Sequence, residues 1–191
     1  MLRIIRVSAL LSLGLVLTLF STAISANTFT EGLKNKQLTI GAEINPLTFI
    51  ASTDSRVYFN AGVSIFNRNN STEIAFPIDY KNIQNGEDQF TALNISAHYR
   101  KFLNKGIEGY YFSGATRLTT INSDTTKLGL GFGFGYRKMF NSGLYWGSSI
   151  LLGRYFGDND KYDTSSLNSF DTLEDKAVMF DIEFLKIGLM F

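Results

Sequence analysis

The chain contains no cysteine. A disulfide framework, a thiolate metal site and a thiol nucleophile are therefore all excluded. Proline occurs only twice and histidine once in 191 residues, which leaves little material for a histidine metal centre. Charge of one sign is missing too, with 18 Lys and Arg against 17 Asp and Glu. No basic surface points to nucleic acid. After the first 26 residues no apolar run reaches the roughly 18 residues that a membrane-spanning helix needs.

The apolar run that does exist lies at the start. Arg3 and Arg6 precede an apolar stretch from Val7 to Phe20, and a small-residue segment then ends at Ala26. This is the layout of a secretory signal peptide, with cleavage expected after Ala23 or Ala26. Losing both arginines takes the formal charge from +1 to about −1, still near neutral. The expected organisation is a signal peptide over 1–26, a short segment over 27–36 and one domain over 37–191. Without disulfides, an exported domain must gain stability from packing, from lipid or from a closed hydrogen-bond network.

What is abundant is glycine, phenylalanine and tyrosine, at 17, 17 and 9 residues. They fall in short segments of period two divided by polar turn clusters, the pattern of an all-β sandwich or barrel. Strands are expected near 37–50, 55–66, 72–80, 89–102, 109–121, 127–139, 144–156 and 176–191. In the second, Val57, Phe59, Ala61, Val63 and Ile65 share one face. In the sixth, Leu128, Leu130, Phe132, Phe134 and Tyr136 oppose Gly129, Gly131, Gly133, Gly135 and Arg137. The even count suits a closed, up-and-down antiparallel barrel. With a periplasmic N-terminus, the turns at 67–71, 103–108 and 140–143 are short. The outer connections at 51–54, 81–88, 122–126 and 157–175 include the two longest. Pro46 and Pro77 conflict with ladder pairing and should mark bulges or strand ends. Val178, Phe180 and Ile182 have the opposite parity to Leu185, Ile187 and Leu189, which calls for a bulge near Glu183.

Tyr99, Phe102, Tyr110, Tyr111, Tyr136, Phe140, Tyr145 and Trp146 gather near two of the short turns. Tyr99, Tyr110, Tyr136, Tyr145 and Trp146 are the expected aromatic girdle at a membrane interface. Tyr80, Tyr155 and Phe156 would begin the opposite one. At the C-terminus Leu185, Ile187, Leu189 and Phe191 alternate up to a terminal Phe. This resembles the assembly signal of Gram-negative outer-membrane barrels, and the whole pattern resembles the small OmpA- and OmpX-like eight-stranded transmembrane domains. The resemblance implies residence in the outer membrane, with lipid and lipopolysaccharide around the wall and insertion by the assembly machinery.

If the apolar faces meet lipid, the opposite faces line a lumen that side chains fill. The expected lumen network is Glu43, Arg56, Glu73, Asp79, His98, Arg100, Arg117, Arg137, Arg154 and Lys186. Three carboxylates would be shared among guanidiniums, whose planar fork can serve two partners. The glycines at 129–135 read as space for large neighbours such as Arg117 or Trp146. They do not form a phosphate loop, since the required spacing and the following Lys-Ser/Thr are missing.

Two other functions compete with a plugged, non-enzymatic barrel. Ser96 and His98 would be the parts of a lipid-modifying enzyme, since some outer-membrane barrels are lipid A deacylases or palmitoyl transferases. Their order and their lumen-side placement argue against a catalytic role. A soluble lipocalin-like barrel would invert the two faces, and alternation alone cannot separate it. The acidic connection with Asp158, Asp160, Asp163, Asp171, Glu174 and Asp175 lacks calcium-loop spacing and reads as a solvated charge run. No catalytic residue, cofactor or metal is expected.

Overall fold

In a computed structural model the described residues are 37–86, 88–157, 162, 167 and 172–191. The expected signal peptide, the segment 27–36, and Asp158, Asp160, Asp163 and Asp171 lie outside them. Eight strands close into an antiparallel barrel, each hydrogen-bonded to its sequence neighbours and the last to the first. They are β1 (Leu38–Ile44), β2 (Arg56–Asn67), β3 (Thr72–Asn85), β4 (Asp88–Phe102), β5 (Gly109–Ile121), β6 (Thr125–Met139), β7 (Leu144–Phe156) and β8 (Val178–Met190). The only helix among the described residues is the short α1 (Pro46–Ala51).

Along the strands exposure alternates with a period of two, broken once in β8; the outer positions are mostly aliphatic and aromatic, while the inner ones are polar, small or, toward the ends of the barrel, aromatic. Leu130, Phe132, Ile95, Val63 and Phe112 all face outward, Phe132 at 70% exposure. Arg100, Arg137 and Glu73 face inward and are almost completely buried. The barrel is thus polar inside and apolar outside, the reverse of a soluble protein's burial.

Strand limits differ from the sequence reading in two places. β1 stops at Ile44, well short of 50, because Pro46 has no N–H for a ladder and fixes a φ suited to the first turn of a helix. Asn45 caps that turn, its side chain accepting from the Leu47 N–H at 3.1 Å. The expected 81–88 loop is instead a continuation of β3 and β4 into a tight hairpin, with Gly86 at φ 64°. The connection between β7 and β8, over 157–177, is therefore the longest between the strands at its end of the barrel.

The second proline behaves differently. Pro77 lies within β3, buried and opposite Gly62, and shifts no register. The cost falls on the other side, where pairing with β4 lapses between Ala75–His98 and Ile78–Ile95. A β-carbon on Gly62 would stand 3.0 Å from Pro77 Cα, so this glycine gives the proline ring its room.

The expected bulge is present in β8. Lys186 pairs with Gly147 but Glu183 pairs with Ser149, so Phe184 and Leu185 together oppose Ser148. The extra residue flips the phase, and Met179, Asp181 and Glu183 point inward together with Lys186 and Gly188. At the terminus Phe191 exchanges both backbone hydrogen bonds with Ile40, at 2.9 and 3.2 Å, and closes the wall.

The glycine face of β6 makes room, though for other residues than expected. A β-carbon on Gly129 would stand 2.9 Å from the Tyr155 ring, and one on Gly135 would meet the Tyr111 ring. Met179 fills the space over Gly131, while Trp146 lies outside the wall. Replacing Gly131 with Leu would drive a side chain into Met179 and toward the Leu152 carbonyl, 2.8 Å from its β-carbon. Overpacking of this kind costs about 1–3 kcal/mol. The expected result is a lower urea midpoint with an unchanged slope, measured beside Gly114→Ala, whose β-carbon meets nothing within 4 Å.

Candidate functional site

The interior is built in three tiers along the axis. The first, near the chain ends, is aromatic: Phe66, Phe102, Ile107, Tyr111, Tyr145 and Met190 form one buried cluster. Arg137 enters it from β6, with its guanidinium 4.5 Å from the Tyr145 ring, 5.1 Å from Phe66 and 5.4 Å from Phe102. Rings attract a cation through their negative faces, more strongly where water is excluded. Arg68, in the turn after β2, reaches Met190 Sδ at 3.8 Å. Partial burial there lowers its pKa from the usual guanidinium value.

The second tier is a salt-bridge lattice. Glu73 takes Arg100 on one carboxylate oxygen at 2.7 Å and Arg137 on the other at 2.6 Å. Arg100 extends to Glu43 at 3.3 Å, and Tyr145 donates its hydroxyl to Glu43 at 3.2 Å. Lys186 joins Glu43 at 3.1 Å and Glu183 at 2.7 Å. Three carboxylates meet three cations drawn from β1, β3, β4, β6 and β8. The formal charges cancel, which is what a dry interior demands.

The third tier is looser. Arg117 donates to Ser96 at 2.8 Å, to the Tyr155 hydroxyl at 3.4 Å and to Asp181. Asn60 donates to Asp79 and reaches Glu183 at 3.3 Å. Beyond them Lys127 holds the Asp175 backbone carbonyl at 2.6 Å, and Lys81 pairs with Glu174 at 2.5 Å. A cavity of about 160 Å³ opens here, among Asn60, Asp79, Asn94, Asp181, Lys81 and Glu174.

Of the ten residues expected in the lumen network, Glu43, Glu73, Arg100, Arg137 and Lys186 form the lattice. Arg117 and Asp79 belong to the third tier. His98 is buried, but its Nε2 has no hydrogen-bond partner and it joins no ion pair. It borders a cavity of about 10 Å³, the space of one water molecule. Two of the ten are misplaced. Arg56 has the inward parity but sits at the far rim, exposed. Arg154 points outward beside Leu152 and Phe156, because β7 holds its odd-numbered residues inside.

The same parity corrects the girdle. Tyr145 is fully buried in the aromatic tier. Tyr99 and Tyr110 are exposed, and Tyr110, Tyr136 and Trp146 run across the outer wall with ring centroids 5.0 and 5.8 Å apart. Leu185, Ile187 and Leu189 are half-buried and Phe191 is exposed, all on the outer side of β8.

Glu183 and Asp181 were missed by the sequence reading. Once Val178, Phe180 and Ile182 are assigned outward, their neighbours must point in, so the signal was there in the phase break. Ser96 is committed to Arg117, and no hydrogen bond joins it to His98. No protein-family model, curated protein or solved structure matches the chain.

Glu73 is the test of the lattice. Glu73→Ala would leave two buried guanidiniums short of a carboxylate, a loss of about 3–5 kcal/mol. Arg137→Ala should overlap with it: in a double-mutant cycle the pair is expected to couple by about 0.5–3 kcal/mol. Additive effects on the urea unfolding free energy would contradict the shared lattice.

Proposed function

We propose that the protein is an integral outer-membrane β-barrel, non-enzymatic, with a lumen closed by its own side chains. Its role lies in envelope integrity or in contacts made by the loops at the far end. The observation that carries this reading is the inverted burial: ion pairs inside the wall and a continuous apolar surface outside. A belt that encircles the whole barrel far exceeds the few hundred Å² typical of a soluble monomer's largest patch. From Leu128 to Tyr136 it rises about 20 Å along the axis at a 40° tilt, close to the apolar height of such barrels.

Other features agree. The Tyr110–Tyr136–Trp146 row lies where the belt ends, with indole and hydroxyl groups at headgroup depth. Arg154, near the opposite limit of the belt, has a stem long enough to carry its charge to the lipid phosphates. The resemblance of Leu185, Ile187, Leu189 and Phe191 to the outer-membrane assembly signal supports a Gram-negative envelope and an N-terminal leader. A lipocalin-like reading would need the apolar face inside. A lipid-modifying reading would need Ser96 free for attack and exposed to lipid, and Ser96 is buried beside Arg117.

On a gel of detergent-extracted outer membranes, the unboiled protein should migrate differently from the boiled one. Deleting Phe191 should weaken the shifted band, since it removes both closing hydrogen bonds to Ile40. A soluble product with no shift would overturn the reading. In planar bilayers the inserted protein should give no stable porin-sized conductance, because the aromatic and salt-bridge tiers fill the bore. Lipid A mass spectra should be the same with and without the gene.

A further inference from the structure

Toward the far end the strand ladder is interrupted between β2 and β8. β1 is joined to β8 only from Ile40–Phe191 to Ile44–Ile187 and stops at Ile44, while β2 and β8 continue toward the far end. The gap in the ladder is spanned by α1 and its flanks, which pack on β2 and also touch β8: Asn45 donates to the Asn60 carbonyl, Ser52 caps Tyr58, and the Phe49 ring stands edge-on to Phe59 at 6.0 Å. On the β8 side there is no ladder partner among the described residues. The Tyr155 N–H bonds the Ala177 carbonyl. Alternation therefore turns the backbone polar groups of Val178, Phe180 and Ile182 away from β7 and into the gap. In a lipid-facing wall such groups are tolerated only where they are buried in protein or line a water-filled cavity.

The cavity of about 160 Å³ lies at this gap. Its lining includes Phe59, Val178 and Phe180 from the outward faces of β2 and β8, together with Asn60, Asp79 and Asp181 from the inward faces. The cavity therefore lies in the wall region itself, beside the unladdered edge of β8. Its polar end is acidic. Asp181 is paired with Arg117 and Glu174 with Lys81, which leaves Asp79 bonded to the Asn60 amide and, among the described residues, without an ion pair of its own. Below it the salt-bridge lattice closes the bore.

We infer that this gap is a lateral portal into a blind site, taking a single-chain amphiphile with an ammonium head from the surrounding lipid. The tail lies against Phe59, Val178 and Phe180, and the head donates to Asp79 and balances its charge. Because the bore below is blocked, the site retains its ligand rather than conducting it. The inference rests on the membrane reading given above.

The probe is a twelve-carbon alkylamine carrying a diazirine near its tail end, photolysed with the intact protein in nanodiscs, with labelled peptides read by mass spectrometry. An alcohol and a carboxylate of the same length serve as comparisons. The amine should label saturably at the Phe59 and Phe180 peptides, about tenfold above the alcohol, as expected for one charge-assisted hydrogen bond. Asp79→Asn should abolish that preference. Val178→Trp, which narrows the mouth and leaves the carboxylate intact, should do the same, whereas Leu118→Trp, on the outer face of β5 across the barrel, should not. Even amine labelling around the belt, or an unchanged pattern in Asp79→Asn, would overturn the portal. Heat-modifiability is scored on every sample: a shifted barrel that fails to label refutes the portal alone, and an unshifted wild type refutes the membrane reading.

Discussion

The interior depends on one carboxylate. Glu73 gives one oxygen to Arg100 and the other to Arg137, and through these two guanidiniums it is connected to Glu43, Lys186 and the aromatic tier. A barrel of eight strands has a bore that side chains must fill. A hydrocarbon filling would leave the wall apolar on both faces, and nothing would then fix which face each strand turns inward. Charged side chains that satisfy one another across the bore remove that ambiguity. Slipping any contributing strand by one residue would turn its ion out of the lattice and strand its partners.

The aromatic tier and the glycines are two sides of the same packing problem. Tyr111, Tyr145 and Tyr155 are too large for a bore of this width unless the facing wall is bare. Gly135, Gly188 and Gly129 supply bare wall at those points. Tyr111 and Tyr145, with Phe66 and Phe102, then box Arg137 and exclude water from its contact with Glu73, strengthening both the ion pair and the cation–ring attraction. Toward the far end a cavity opens beside Asp79, and Phe90, Ala92 and Ile121 pack with Tyr162 and Leu167 as a separate cluster.

The strand count, the alternation, the antiparallel order and the break in β8 could be read from the sequence because each depends on local periodicity. Pro46 was recognisable as an irregularity, but whether it makes a bulge, an end or a helix depends on Asn45 and on what lies across the wall. The 81–88 segment looked like a loop because it is polar; as a hairpin projecting past the apolar belt it has no need of an apolar face. Arg154 and Tyr145 were misassigned for a single reason. β7 carries Ser148 and Ser149 at its centre, so its apolar pattern does not declare a phase, and partners on β6 and β8 decide it. Glu73 pairing with Arg100 is legible once β3 and β4 are placed in register, whereas its bond to Arg137 spans the bore and has no local signature.

The short join between β1 and β8 also bears on how the molecule comes together. Each other strand pair is linked by a turn or loop, and its closure entropy is correspondingly limited. The join of β1 to β8 brings together segments from opposite ends of the domain and gains few ladder bonds in return. Glu43 sits on the short strand of that join, bonded to Lys186 on its neighbour and to Arg100 across the bore. The salt-bridge lattice is therefore also a clasp, and the hoop locks only when charges from distant parts of the chain arrive at one carboxylate together.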